Sequence, residues 1–345
     1  MTRPAGRGPR LLVLRALGLG DLLTAVPALR ALRRSHPGYE LLLAAPGRLA
    51  EAAAATGAVD RLLPTSAPAR AVPHRIDWTG PPPEVAVDLH GNGPPSHRLL
   101  NALRPGRTLA YAHPDTPQIP GPLWRDDEHE WVRWCRLLLW YGIPADPGDQ
   151  RMTVPEGRGS PAPGAVVLHP GADAAARRWP AERFAAVGRA LAATGHRVVV
   201  TAGADEAPLA HEVARAAGLP RSAVLGGDAD VPFADLAALV ARARAVVVGD
   251  TGLAHLATAL GTPSVVLFGP VAPRLWGPPR CDLHQALWYG SDATPRPGDA
   301  HGTVPDERLL AISVADVLAA VGRLPRPAAP APRRPHPTTP TGAAG

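Results

Sequence analysis

Lysine does not occur in this chain; all 36 basic residues are arginine, against 30 acids. With the excess of alanine, proline and glycine, this marks a genome-level composition bias. No arginine carries functional weight merely by being arginine. Cysteine is nearly absent. Cys135 and Cys281 are too few for a disulfide framework and show no metal-ligand spacing, so both are expected to be packed apolar residues. Apolar runs of membrane-spanning length, about 20 residues, are missing as well. The amino terminus imitates a signal peptide, with arginines ahead of Leu11-Leu-Val-Leu14, but Arg15 and Asp21 interrupt the apolar stretch. It reads as the first strand and helix of a cytoplasmic protein. The net charge of +6 sits at the ends: Arg3, Arg7, Arg10, Arg323, Arg326, Arg333 and Arg334 lie in tails without acids, and removing them leaves a near-neutral body. That excludes a basic nucleic-acid footprint on the folded part.

What is present is alternation. Short apolar runs of strand length (10–15, 39–44, 61–63, 84–89) alternate with helical patterns, the last over 127–141 with Trp131, Trp134 and Leu138 on one stripe, read as core or domain interface. Pro27 is expected in the first turn of a helix capped by Thr24, where a missing N–H costs nothing. Residues 64–83 are proline-rich loop. A Pro/Gly-rich stretch at 144–164 marks a boundary, and a second series follows: strand 165–168, helix 180–194, strand 197–201, helix 206–217, helix 235–243 and a last helix over 306–321. The expected organisation is a tail at 1–9, a domain at 10–150, a domain at 151–324 and a disordered tail at 325–345. Two such series predict an α/β protein of two doubly wound parallel-sheet domains, with ligand in the cleft beyond the carboxyl ends of the strands.

The most informative stretch is Gly249 to Pro263. A strand, Ala245-Val-Val-Val248, leads into Asp250-Thr251-Gly252. A helix follows with Leu253, Leu256, Ala257 and Leu260 at helical spacing, and Gly261 stops it. Free N–H groups at such a junction favour an anion, and Gly252 admits a phosphate close to the backbone. The plainer alternative is that Asp250 or Thr251 caps the helix. An aspartic protease would need two Asp-Thr-Gly motifs in a β protein, and there is one, opening a helix. Gly18-Leu-Gly-Asp21 also joins a strand to a helix. Leu23 stands where a dinucleotide fingerprint requires glycine, and Ala44-Ala-Pro46 lacks the ribose-binding acid, so a dehydrogenase is the weakest reading. What remains is Asp21 on a tight turn: a general base, or an acid favouring the helix dipole. His169-Pro-Gly171 ends a strand, and Arg177 and Arg178 follow before Trp179-Pro180. This suits a diphosphate, or is two solvated arginines. Asp228-Ala-Asp230 matches a metal-binding Asp-x-Asp pair but reads as a surface loop. Arg30, Arg33 and Arg34 read as a face toward an acidic acceptor or a membrane, or as a solvated helix face.

Gly18–Pro27, His169–Phe184, Thr201–Glu206 and Gly249–Pro270, in that order, resemble glycosyltransferase family 9, the ADP-heptose:lipopolysaccharide heptosyltransferases, over nearly all of residues 10–322. The resemblance implies the GT-B arrangement of two Rossmann-like domains, inversion at the anomeric carbon and no metal or other cofactor. It puts Asp21 in the place of the catalytic base and Arg177 where the family has a phosphate-binding lysine, a change that keeps charge but not geometry. Glu206 matches a ribose contact, and Asp250, Thr251 and Gly252 the sugar- and phosphate-binding turn, with His255 nearby. His169, Gly171 and Arg178 complete the donor set; Gly18, Gly20 and His90 are assigned to the acceptor. The implied partners are a nucleotide-sugar donor and a glycan or glycolipid acceptor, with the protein a cytoplasmic monomer, at most peripheral to the inner membrane face. A nucleotide-sugar epimerase and a non-catalytic nucleotide-sugar-binding protein are the alternatives.

Overall fold

The structure, a computed structural model, describes residues 8–291 and 298–325. Apart from residues 8, 9 and 325, the two tails set apart by the sequence lie outside the described residues.

The first half runs β1 (Arg10–Leu14), α1 (Leu19–Thr24), α2 (Val26–Ser35), β2 (Glu40–Ala45), α3 (Ala50–Ala55), β3 (Arg61–Pro64), β4 (Val85–Asp88), α4 (Pro94–Asn101), β5 (Arg107–Leu109) and α5 (Glu130–Trp140). Its sheet is parallel, in the order β3-β2-β1-β4-β5. The second half runs β6 (Val166–His169), α6 (Ala181–Ala193), β7 (Val198–Ala202), α7 (Ala207–Ala216), β8 (Val224–Gly226), α8 (Phe233–Ala241), β9 (Ala245–Gly249), α9 (Gly252–Leu260), β10 (Ser264–Leu267), α10 (Pro273–Trp276), β11 (His284–Leu287), α11 (Glu307–Leu310) and α12 (Val314–Arg323). Its sheet is also parallel, in the order β11-β10-β9-β6-β7-β8. Both sheets are covered on both faces, which is why their strands read as continuous apolar runs. Along β1, Leu11 and Val13 enter one core while Leu12 and Leu14 enter another. The first of these cores continues through α2 and α5 into α9 and the β9 residues Val246 and Val248, so one apolar body joins the halves.

Several expectations are corrected. The helix after Gly18 starts at Leu19 and breaks at Ala25, which caps α2 in place of Thr24; Pro27 does lie in the first turn. The helix read over 306–321 is two, because Ser313 and Asp316 form a capping box that restarts the chain. Cys135 is buried but Cys281 is exposed. Arg30 and Arg34 are not a free basic patch, although Arg34 does stay on a solvated face with half of its side chain exposed. They fork onto Asp149 of the connecting segment at 2.8 and 2.5 Å, while Arg33 pairs with Asp60.

Candidate functional site

Each sheet has one point where the strand order reverses, between β1 and β4 in the first and between β6 and β9 in the second. Chains diverge there and leave a crevice at the carboxyl ends. Asp21 follows β1, His90 follows β4, His169 ends β6 and Asp250 follows β9. The two crevices face each other. They enclose a cavity of about 740 Å³ lined by Gly18, Gly20, Asp21, Arg70, His169, Arg177, Glu206, Asp250, Thr251, Gly252 and His255, among others.

The halves meet glycine to glycine. A Cβ on Gly20 would stand 2.9 Å from the His255 ring and 3.4 Å from the Gly252 Cα; one on Gly252 would stand 3.2 Å from the Gly20 nitrogen. Only bare backbone lets α1 and α9 approach this closely. The contact places Asp21 across from the turn at 250–252.

Asp21 is the third residue of α1, and its Oδ2 accepts the Gly18 N–H at 3.1 Å. The dipole reading of this acid therefore holds as local structure. The same carboxylate is also gripped by Arg70, whose Nη2 lies 2.9 Å from both oxygens, and Arg15 Nη2 lies 3.6 Å from Oδ1. Arg15, 1% exposed, donates to the carbonyls of Asp21 and Leu89, to Thr24 and, at 2.8 Å, to Glu130. Glu130 in turn holds Arg133 and the Trp134 indole. A buried charge needs such complete pairing.

On the opposite wall Thr251 occupies the N-cap position of α9, but its hydroxyl caps nothing. Thr251 Oγ1 is buried without a partner, as is Arg177 Nε, and both residues line the cavity. Simple capping is therefore not what this threonine does. An acceptor oxygen entering from the cavity would satisfy the helix N–H groups and Arg177 together. Arg177 Nη1 donates to the Asp250 carbonyl at 3.1 Å. Burial pushes the Asp250 carboxyl up to about 6, partly offset by the Arg177 charge. Burial lowers His255 and His90 to about 4, so both are neutral at pH 7. His90 Nδ1 accepts the Ala16 N–H at 3.2 Å. Burial also lowers His169, which contacts Thr201 through Nδ1 at 3.1 Å.

Glu206 Oε2 accepts the Gly203 N–H at 2.8 Å, and its carboxylate lies directly against Gly171. Gly171 thus backs the cavity without lining it. His90 stands beside the Asp21 turn, outside the lining. Arg178 is not brought to the cavity. It is exposed, and its Nε donates to the Ala172 carbonyl at 2.8 Å. Asp230, read as surface loop, corrects that reading in part: it is exposed yet lines the cavity, accepting the Ala204 N–H at 2.8 Å. Among the described residues no cluster of three or more His, Cys, Asp or Glu is arranged to hold a metal ion.

Sequence reasoning missed Arg70, Arg15 and Glu130. Arg70 comes from the proline-rich loop, which has no periodicity to read. Arg15 did leave a signal, a charge directly after a fully apolar strand. Glu130 is one helical turn before Trp134 and had none.

Residues 150–295 match the family model described as Glycosyltransferase family 9 (heptosyltransferase). Lipopolysaccharide heptosyltransferase 3 of Escherichia coli is 35% identical over 161 residues, 46% of each chain. Lipopolysaccharide heptosyltransferase 2 of E. coli K12 is 30% identical over 140 residues, 39% of this chain and 40% of that one. The matched segments thus span less than half the length of these curated relatives. The solved ADP-heptose lps heptosyltransferase II of E. coli superposes with a TM-score of 0.70 at 20% identity, covering 91% of this chain and 98% of that one. The family 9 glycosyl transferase of Veillonella parvula superposes with a TM-score of 0.71 at 19% identity, covering 92% and 97%. The two parallel-sheet halves are therefore the two Rossmann-like domains of a GT-B fold. Residues 150–295 thus resemble the family 9 glycosyltransferases in sequence, and the whole chain shares their fold.

Proposed function

We propose that this protein is an inverting glycosyltransferase that moves a sugar, heptose from ADP-heptose, onto a hydroxyl of a glycan or glycolipid. The observation that carries the proposal is the cavity itself. A carboxylate on one wall, Asp21, faces a helix N-terminus with an unpartnered Thr251 hydroxyl and Arg177 on the other. The chain divides at about residue 150, with the acceptor on the first domain and the donor on the second. The donor's diphosphate lies against Arg177 and the N–H groups at Thr251 and Gly252, and its ribose against Glu206. An acceptor hydroxyl gives its proton to Asp21 as its oxygen bonds to the anomeric carbon. The bond from that carbon to the diphosphate breaks, and the nucleoside diphosphate leaves with the electron pair. Arg177 and the backbone N–H groups stabilise the charge building on the leaving group, so no metal ion is required. His255 and His90, lowered to about 4 by burial, are neutral at pH 7 and bring no positive charge to the cavity. The working form is a monomer in the cytoplasm, reaching a lipid-linked acceptor from the membrane surface; no helix of the described residues is long and apolar enough to cross a membrane.

The test is a panel of nucleotide sugars screened by thermal shift and then for transfer, with wild type and Asp21→Ala. ADP-heptose is expected to raise the melting temperature of both, while only wild type transfers. Normal transfer by the variant removes Asp21 from its role. Release of free nucleotide without any acceptor moves the protein to epimerase chemistry.

A further inference from the structure

Arg70 and Asp21 are in a contradictory position for the proposed reaction. A general base needs an oxygen within about 2.6–3.2 Å of the proton it removes. Here Arg70 Nη2 sits 2.9 Å from both Asp21 oxygens, and the carboxylate is only 6% exposed. One partner has to leave. Arg15 cannot, being anchored on Leu89, Thr24 and Glu130. The Gly18 N–H is fixed in the turn. Arg70, 37% exposed on its side chain, is the removable one.

Its destination is marked by a second contact. Arg70 Nη1 lies 4.0 Å from Asp173 Oδ2, and the same oxygen lies 3.7 Å from Arg177 Nη2. Two guanidinium groups, one from each domain, flank a single carboxylate that is 79% exposed and free to swing into solvent. The gap between them is one anion wide and opens on the cavity lined by both arginines. A diphosphate brings at least two negative charges to a wall where Arg177 alone adjoins the 250–252 turn, and a second guanidinium within reach balances them. The segment bearing Arg70 is also held unusually: Ala69 and Arg70 have φ of 52° and 59°, left-handed values that non-glycine residues adopt at a cost.

We infer that Arg70 is a shuttle, which covers the Asp21 carboxylate until the donor arrives and then passes to the donor's diphosphate, uncovering the base only when a leaving group is in place. This rests on the reading of the cavity as a nucleotide-sugar site. After the transfer Asp21 keeps the Gly18 N–H and the Arg15 charge, which hold it in position, while one oxygen becomes open to an acceptor hydroxyl.

The experiment is a crystal structure of the full chain with ADP, together with calorimetric titration of ADP and adenosine against wild type, Asp21→Ala, Arg70→Ala and the double variant. In the complex, Arg70 is expected on a diphosphate oxygen, more than 4 Å from at least one Asp21 oxygen. In solution Asp21→Ala is expected to tighten ADP about tenfold by releasing Arg70. That gain should vanish in the Arg70→Ala background, and adenosine affinity should be equal in all four proteins. Arg70 still clamped on Asp21 with ADP bound overturns the shuttle. So does an equal gain in both backgrounds, since Asp21 then acts on ADP by charge alone. ADP absent from the cavity is a different failure: it removes the nucleotide-sugar reading, and the shuttle with it.

Discussion

Gly171→Ala tests the donor side with one methyl group. A Cβ at position 171 would stand 2.1 and 2.2 Å from the Glu206 oxygens and 2.3 Å from its Cδ, where ordinary contact is 3.4–4 Å. The carboxylate therefore has to retreat by more than an ångström. Its bond to the Gly203 N–H, 2.8 Å, cannot survive that displacement. Loss of a hydrogen bond to a charged group costs about 1.5–3 kcal/mol. If Glu206 holds the donor ribose, the displaced carboxylate also loses its hydrogen bond to the ribose, and at that same cost ADP affinity falls by about 10- to 100-fold, since each ~1.4 kcal/mol is a factor of ten. The global fold is affected less, because Glu206 is at the surface end of the cavity and has solvent to move into. Calorimetric titration of ADP against wild type, Gly171→Ala, Glu206→Ala and the double variant checks the route. The methyl acts only by displacing Glu206, so the double variant is expected to bind no worse than Glu206→Ala alone. Wild-type affinity in Gly171→Ala, or a full additional loss in the double variant, refutes this account of the Gly171–Glu206 contact.

Other consequences follow from buried groups. Trp179 is 2% exposed, packs edge-on against Phe184 at 5.1 Å and donates its indole N–H to the Ile312 carbonyl at 3.0 Å. Trp179→Ala should cost about 3–5 kcal/mol in urea unfolding, and a loss under about 1 kcal/mol contradicts its role in seating α12. Asp88 is fully buried, and its Oδ2 has no hydrogen-bond partner although His97 Nε2, also unpartnered, lies 3.7 Å away. Burial raises the Asp88 carboxyl from 3.8 to about 6 and lowers His97 to about 4, so this contact is not an ion pair at any pH between those values. A raised acid stabilises the fold fully below pH 4, and that contribution is lost as pH rises through 6. Asp88→Asn, which cannot ionise, should therefore gain on wild type across pH 4 to 6, by up to roughly 3 kcal/mol. A difference in melting temperature that does not change with pH refutes the sign.

Much of the fold was legible because its signals are local. The Gly249–Pro263 stretch folds as read: β9, a turn, α9 and then Gly261 at φ 69°, the left-handed cap that a glycine adopts without steric cost. Gly195 and Gly218 end α6 and α7 in the same conformation, at φ 85° and 75°. The missed elements are those with weak local signals. α4 opens on two prolines, and β5, β8 and β11 are only three or four residues long. Such strands exist because a neighbour offers them a ladder, which their own residues do not announce. The two-helix end of the chain shows the reverse case: Ser313 and Asp316 are a readable capping box, masked by an apolar pattern that runs through the break.

Sequence alone set the period of each segment, the places where it turns and the chemistry at the strand ends, since these depend on residues a few positions apart. Whether the Thr251 hydroxyl caps its helix was not decided there. Nor was the partner of Asp21, because Arg70 arrives from a loop without pattern and Arg15 is tied down by Glu130 from a distant helix. Both were settled when two sheets packed with α1 against α9 through Gly20 and Gly252, a contact that exists only once apolar burial has joined the halves.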